Sequence, residues 1–156
     1  MTDAAGSAEF RYYLRVRYGE CDGQKVVFNA RYGEYVDLAV TELFRALGYE
    51  QELVSGALDY QLVKQTTEWL APARFDDVLE ARVSTARLGT TSFTLSVVFR
   101  RADEAQVLAR VETIYVLVDQ HSLKKRELPA LLRERLTRGI VAITDHAGRS
   151  GTDTAR

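Results

Sequence analysis

Eight apolar residues between positions 32 and 47 fall at one spacing: Tyr32, Tyr35, Val36, Ala39, Val40, Leu43, Phe44 and Leu47. That i, i+3, i+4, i+7 stripe is one face of a single helix, sustained over about four turns. At 1.5 Å per residue the helix is about 25 Å long, enough to lie across a whole small sheet. Gly48 supplies a stop, and Asn29 just upstream is a candidate N-cap whose side-chain oxygen would take a first-turn N–H. So wide an apolar face must be covered, and the only other apolar surface in the chain is patterned differently.

That surface has a period of two. Phe10, Tyr12, Leu14, Val16 and Tyr18 alternate with Arg11, Tyr13, Arg15 and Arg17, which predicts a strand over 10–18 with one wet side. After a connection over 49–56, strand-like segments run at 58–70, 78–88, 92–101 and 107–119, separated by Pro72, Gly89 and the turn Ala102-Asp103-Glu104-Ala105. Short polar turns imply antiparallel neighbours. Leu131, Leu132, Leu136, Ile140 and Ile143 suggest a second, short helix over 129–143. The expectation is an α+β domain: a five-stranded antiparallel sheet wrapped around one long central helix, in the order β-α-β-β-β-β, plus a short C-terminal helix. Residues 10–143 form the single domain, between a flexible N-terminus (1–9) and a flexible tail (144–156).

Several chemistries are excluded early. With 21 Lys and Arg against 22 Asp and Glu, the net charge is −1, so no basic excess draws the chain to nucleic acid. One cysteine, Cys21, rules out an internal disulfide and a multi-cysteine metal site, and suits a reducing compartment. The first nine residues lack an apolar core, so they do not read as a signal peptide, and no run is long enough to span a membrane. A cytoplasmic location is expected, with no metal. The chain has no G-x-S-x-G elbow, no P-loop, no dinucleotide glycine fingerprint and no H-E-x-x-H pair. His121 and His146 are the only histidines, both in the last quarter, which leaves Cys21 without a base nearby in sequence.

Attention therefore falls on Asp22. Asp22-Gly23 is a turn signature, and a turn aspartate with no catalytic task is one reading of it. Its position suggests another. It lies seven residues before Asn29, where a loop leaves the first strand and approaches the start of the buried helix. Unpaired N–H groups and a partial positive charge at a helix N-terminus can hold a developing oxyanion, and a nearby carboxylate can attack the polarised carbonyl or activate water.

The run from Tyr18 to Tyr32, including Asp22 and Asn29-Ala30-Arg31-Tyr32, resembles the hotdog-fold acyl-CoA thioesterases of the 4-hydroxybenzoyl-CoA thioesterase type. Trp69-Leu70-Ala71-Pro72-Ala73 and Arg87-Leu88-Gly89-Thr90-Thr91-Ser92-Phe93 look like two further turns of that family, in the same order. The resemblance implies thioester hydrolysis to a carboxylate and free coenzyme A, with Asp22 as nucleophile or general base and the backbone N–H groups of Asn29 and Ala30 polarising the carbonyl. Coenzyme A is part of the substrate, and no cofactor is implied. Arg87, Thr91 and Ser92 are the candidates for its tail, with Lys124, Lys125 and Arg126 behind them, the latter three reading first as a solvated turn before Leu128-Pro129. Phe28 and Tyr32 are candidate acyl contacts that could instead be core, as could Tyr35 and Trp69. The family pairs chains edge to edge around the site, so a homodimer or homotetramer is expected. Two departures stand out: Lys25 where many relatives carry glycine, and Val26 or Phe28 where many carry His or a second Asn. A non-catalytic acyl-CoA or acyl-carrier-binding protein on the same fold is the alternative.

Overall fold

The structure is a computed structural model and describes residues 8–149. Along the chain lie β1 (Ala8–Arg15), α1 (Arg31–Ala46), α2 (Glu50–Ser55), β2 (Asp59–Trp69), β3 (Val78–Leu88), β4 (Ser92–Arg101), β5 (Val107–Val118), α3 (Ala130–Arg138) and β6 (Gly139–Asp145). One sheet holds all six strands in the order β2-β5-β4-β3-β1-β6. The first five pair antiparallel, and β6 runs parallel to β1.

The α1 stripe is buried as its spacing predicts, from Tyr32 and Tyr35 through Val36, Ala39, Val40 and Leu43 to Phe44. These side chains share one core with the inward residues of the sheet, among them Phe10, Tyr12, Leu79, Phe93, Leu95, Phe99 and Leu108. Edge-on aromatic contacts mark the seam: Tyr32 meets Phe99 at 5.4 Å between ring centroids, and Phe44 meets Phe93 at 5.6 Å. At its far end α1 stops where Gly48 takes φ 95°. The Gly48 N–H donates to the Arg45 carbonyl at 3.1 Å and the Tyr49 N–H to the Phe44 carbonyl at 3.0 Å. Those paired bonds are a Schellman stop, sealed by the Phe44–Tyr49 ring contact.

Three expectations need correction. Asn29 does not cap α1 through its side chain; Ala30 holds the N-cap position, in the α region at φ −66° and ψ −20°. The backbone turns one residue pair early, so the Arg31 and Tyr32 N–H groups find the Phe28 and Asn29 carbonyls instead. The first strand ends at Arg15 rather than at 18, and Tyr18 begins a 3-10 turn with its ring 82% exposed against Phe75.

The third correction concerns the C-terminus. The helix expected over 129–143 stops at Arg138, and 139–145 form a sixth strand. Gly139 adopts φ 64° and ψ −167°, a conformation open essentially to glycine alone, so it breaks the helix. The run that follows is rich in β-branched residues and pairs with the otherwise open edge of β1. Of the ends expected to be flexible, 1–7 and 150–156 lie outside the described residues. Ala8 and Glu9 belong to β1, and Thr144 and Asp145 to β6. Beyond β6 the His146 N–H donates to the Tyr13 carbonyl at 2.9 Å, and Arg15 donates to the carbonyl of buried Ala147 at 3.0 Å.

Candidate active site

Asp22 sits at the tip of a small hairpin between β1 and α1. Cys21 pairs with Val27 across it, the Asp22 N–H donates to the Val26 carbonyl at 2.9 Å, and the Lys25 N–H donates to the Asp22 carbonyl at 2.9 Å. One carboxylate oxygen of Asp22, Oδ1, accepts the Gln24 N–H at 2.8 Å; the side chain otherwise faces solvent. The turn closes with Lys25 in the left-handed region at φ 63°. A three-residue hairpin loop needs such a residue after its turn, which is why glycine suits the position.

The return arm of the hairpin is anchored on the segment before β3, where the Val27 N–H donates to the Ala73 carbonyl at 2.8 Å and Val26 pairs with Arg74. The chain then enters α1 through Asn29 and Ala30. Among the described residues neither the Asn29 nor the Ala30 N–H has a hydrogen-bond partner, and both residues are exposed. The hairpin thus carries a carboxylate on its tip and leads straight to two free amides at the positive end of a 16-residue helix.

Beside those amides lies a cavity of about 240 Å³, bounded by Asn29 and by Val26, Val27, Tyr32, Trp69 and Pro72. Tyr32 is only 2% exposed; it packs on Phe99 and also lines the cavity. Phe28 points elsewhere: it is 52% exposed and is not part of this lining.

Cys21 is half-buried, and burial together with the carboxylates of Asp22, Glu20 and Asp77 pushes its thiol pKa up. It remains protonated at neutral pH and is a poor nucleophile. Asp77 is spent on structure, accepting from the Arg74 N–H at 2.8 Å and from Arg101 at 2.9 Å. His121 lies in the turn after β5, and His146 is bonded through Nδ1 to the Tyr12 hydroxyl at 3.0 Å.

The remaining candidates do not join Asp22 within one chain. Asp22 follows β1, whose last residue Arg15 pairs with Val78 at the start of β3, whereas Arg87, Thr91 and Ser92 surround the turn at the other end of β3. From Leu79 to Leu88 the strand rises about 30 Å. At that far end the Leu128 N–H donates to the Thr90 carbonyl at 3.0 Å and Arg133 donates to the Gly89 carbonyl at 2.7 Å. Lys124, Lys125 and Arg126 are at the same end, since Lys125 pairs with Val118 and the Arg126 N–H donates to the Leu117 carbonyl. A basic cluster therefore gathers one strand length from the carboxylate. The sheet also ends in an 11-residue strand, β2, with no outer neighbour among the described residues and with Leu62, Val63 and Trp69 all about half exposed or more.

A family model for the thioesterase-like superfamily matches residues 16–136. The chain belongs to that superfamily. The acyl-CoA thioester hydrolase YbgC of Escherichia coli is 32% identical over 121 residues, covering 77% of this chain and 90% of YbgC. The solved structure of YbaW, a probable thioesterase from Escherichia coli, superposes with a TM-score of 0.73 at 25% identity, covering 83% of this chain and 98% of its own. Slr0204, a 1,4-dihydroxy-2-naphthoyl-CoA thioesterase from Synechocystis, superposes with a TM-score of 0.74 over 83% of this chain and 96% of its own; at 22% identity that likeness concerns the fold.

The part of the chain that matches the thioesterase-like superfamily takes in the Asp22 hairpin, α1 and β2 to β5, and stops before β6. Within it, sequence reasoning passed over Glu20. This carboxylate is 5% exposed and bonded to Arg17 and Tyr35. Its only sequence signal is the Arg17/Glu20 spacing of three across a turn, the arrangement of an ion pair on one helical face.

Proposed function

We propose that this chain hydrolyses acyl-CoA thioesters to a carboxylic acid and free coenzyme A, with Asp22 as the reacting carboxylate. One arrangement carries the proposal: a hairpin that holds a solvent-facing carboxylate on its tip and ends in the unpartnered N–H groups of Asn29 and Ala30 at the start of α1. The activity named for YbgC points the same way.

The thioester carbonyl oxygen would lie on the two amides, which stabilise the negative charge that develops there. Asp22 can then act in either of two ways. As a nucleophile, its free Oδ2 adds to the carbonyl carbon; collapse of the tetrahedral intermediate breaks the C–S bond, expels the thiolate, and leaves an anhydride that water opens. As a general base, it takes a proton from water while the water oxygen adds, and the same collapse releases the thiolate, which is then protonated. Coenzyme A arrives as part of the substrate, and neither route calls on a cofactor. The acyl group enters the cavity of about 240 Å³, whose walls carry no charged side chain, so an uncharged acyl group fits it.

The coenzyme tail requires a second chain. Arg87, Thr91 and Ser92 and the neighbouring basic turn lie a strand length from Asp22 in their own protomer, and antiparallel pairing of two β2 edges would bring one protomer's far end toward the other's hairpin. A homodimer, alone or as half of a tetramer, is the working unit in this proposal, and it suits the cytoplasm, where coenzyme A thioesters and reduced thiols coexist.

The test is a panel of aliphatic and aromatic acyl-CoA substrates with detection of released thiol. Asp22→Asn is expected to cut turnover by about 10²–10⁴-fold, the range for loss of a positioned acid or base. The fold should hold, because an amide oxygen still accepts the Gln24 N–H. Turnover near wild type in that variant sinks the mechanism. Thermal stabilisation by acyl-CoA without cleavage of any panel member would favour the non-catalytic binder instead.

A further inference from the structure

Glu20 is buried beside the proposed catalytic loop, and no step of the reaction described above uses it. Its carboxylate accepts the Arg17 N–H at 2.7 Å, the Arg17 guanidinium at 3.1 and 3.3 Å, and the Tyr35 hydroxyl at 3.0 Å. Its backbone carbonyl accepts the Phe28 N–H at 2.9 Å, and its own N–H donates to the Arg17 carbonyl at 3.0 Å. One residue therefore joins three pieces of chain: the segment leaving β1, the return arm of the hairpin, and the second turn of α1.

Those are the pieces whose relative placement the reaction depends on. Asp22 is two residues beyond Glu20 on the outgoing arm, and Asn29 directly follows Phe28 on the return arm. The hairpin's own bonds fix its shape, but they do not fix how it stands against α1. Two side-chain bonds tie the outgoing arm to α1: at the exposed first residue of the helix the Arg31 guanidinium donates to the Gly19 carbonyl at 3.4 Å, and in the second turn the Tyr35 hydroxyl donates to the Glu20 carboxylate, the buried one of the two. Burying a carboxylate costs several kcal/mol even when partners recover much of it. A neutral residue could close the same turn. Burial pushes the Glu20 pKa up, but the Arg17 N–H, the Arg17 guanidinium and the Tyr35 hydroxyl outweigh it and hold the group ionised. Burial and the Glu20 charge in turn raise the Tyr35 phenol, which stays a donor.

We propose that Glu20 is a positioning residue: by tying both arms of the hairpin to α1 it holds the Asp22 carboxylate in register with the Asn29 and Ala30 N–H groups. Its kinetic consequence rests on the thioesterase reading, whereas its structural consequence does not. A misplacement on the order of 1 Å costs about 10²-fold in rate when reacting groups must meet in one geometry.

Two measurements separate the cases. In steady-state kinetics at a temperature where every variant is folded, Glu20→Gln should lower kcat by about 30–100-fold while KM stays within about threefold, since the loss is in alignment and not in binding. Tyr35→Phe should lose about 3–10-fold, and the double variant should be no worse than Glu20→Gln alone, because the two act through one bond. In hydrogen exchange without substrate, Glu20→Gln should speed exchange of the amides over 21–29 and leave β3 to β5 unchanged. A Glu20→Gln protein that keeps kcat within about twofold of wild type overturns the proposal, as does unchanged exchange over 21–29. If the wild-type chain cleaves no acyl-CoA, the thioesterase reading fails and exchange alone decides the role of Glu20. If Glu20→Gln does not fold, Tyr35→Phe carries both readouts, and normal turnover with normal exchange in that variant overturns the proposal.

Discussion

Lys25 is held at φ 63°, a backbone conformation that costs an L-residue about 1–2 kcal/mol. Glycine avoids that cost but loses about 0.5–1 kcal/mol through its freer unfolded chain. Lys25→Gly should therefore stabilise the protein by up to about 1 kcal/mol, seen as a rise in Tm of about 2–4 °C for a chain of this size. A fall in Tm would mean that the lysine side chain contributes more than its exposure suggests. Glu20 and Glu80 make a second prediction. Both are buried, which pushes their pKa values up, but bonds from Arg17 and Tyr35 to Glu20 and from Tyr13 and Arg82 to Glu80 bring both below the usual carboxylate range. A depressed folded pKa means stability that is full above the unfolded value of about 4.3 and is lost as pH falls through the folded one. Thermal unfolding should show Tm dropping steeply below about pH 4, and the drop should be shallower in Glu20→Gln relative to its own neutral-pH value. At this scale the turn at Asp22 was legible, because Asp-Gly before a helix start has a local signature. Asn29 misled: its side chain is a good cap, yet the backbone had already turned and left it nothing to cap. The Arg17/Glu20 spacing signals only an ion pair across a turn; that Glu20 is buried is decided by Tyr35, fifteen residues away.

Elements were legible wherever punctuation was local. β3 and β4 begin and end where their alternation does, because Gly89 and Ala102-Asp103 break the chain at the strand ends. A Cβ at Gly89 would press on the Ser92 hydroxyl, which would have to turn aside. β6 was hidden for the opposite reason. Ile140 and Ile143 continue the helical spacing from Leu136, but Gly139 breaks the helix and the partner edge of β1, more than a hundred residues upstream, selects strand beyond it. The joint between α3 and β6 rests on Gly139 at φ 64° and ψ −167°. Gly139→Ala should cost about 1–3 kcal/mol in urea unfolding, with the slope unchanged. An alanine variant as stable as wild type would show that the joint relaxes into another conformation.

The whole molecule holds what no segment could show. Three motifs in the right order suggested one site, yet the pairing of β1 with the start of β3 puts Asp22 and the Arg87 turn at opposite ends of the sheet. That pairing is long-range, and turn motifs do not encode it. In the proposed dimer the β2 edge is the seam, so light scattering should find at least two copies in the particle. Lysines at both Leu62 and Val63 should drive it toward monomer and raise KM for acyl-CoA by about tenfold or more, since charged edges resist pairing. A monomeric double variant with unchanged KM would show that the coenzyme is held within one chain.

β6 also governs how the chain comes into being. Its partner β1 emerges well over a hundred residues before it, so β1 waits through the synthesis of α1 and β2 to β5 with one edge uncovered. Until residue 139 has emerged, β1 as well as β2 lacks an outer neighbour among the described residues, and exposed edges are where immature chains stick to one another. A chain ended at Arg138 should partition into the insoluble fraction of cell extracts at expression levels where the full chain stays in solution. The strand β6, outside the span matched to the superfamily, would then act as a late-arriving guard for β1.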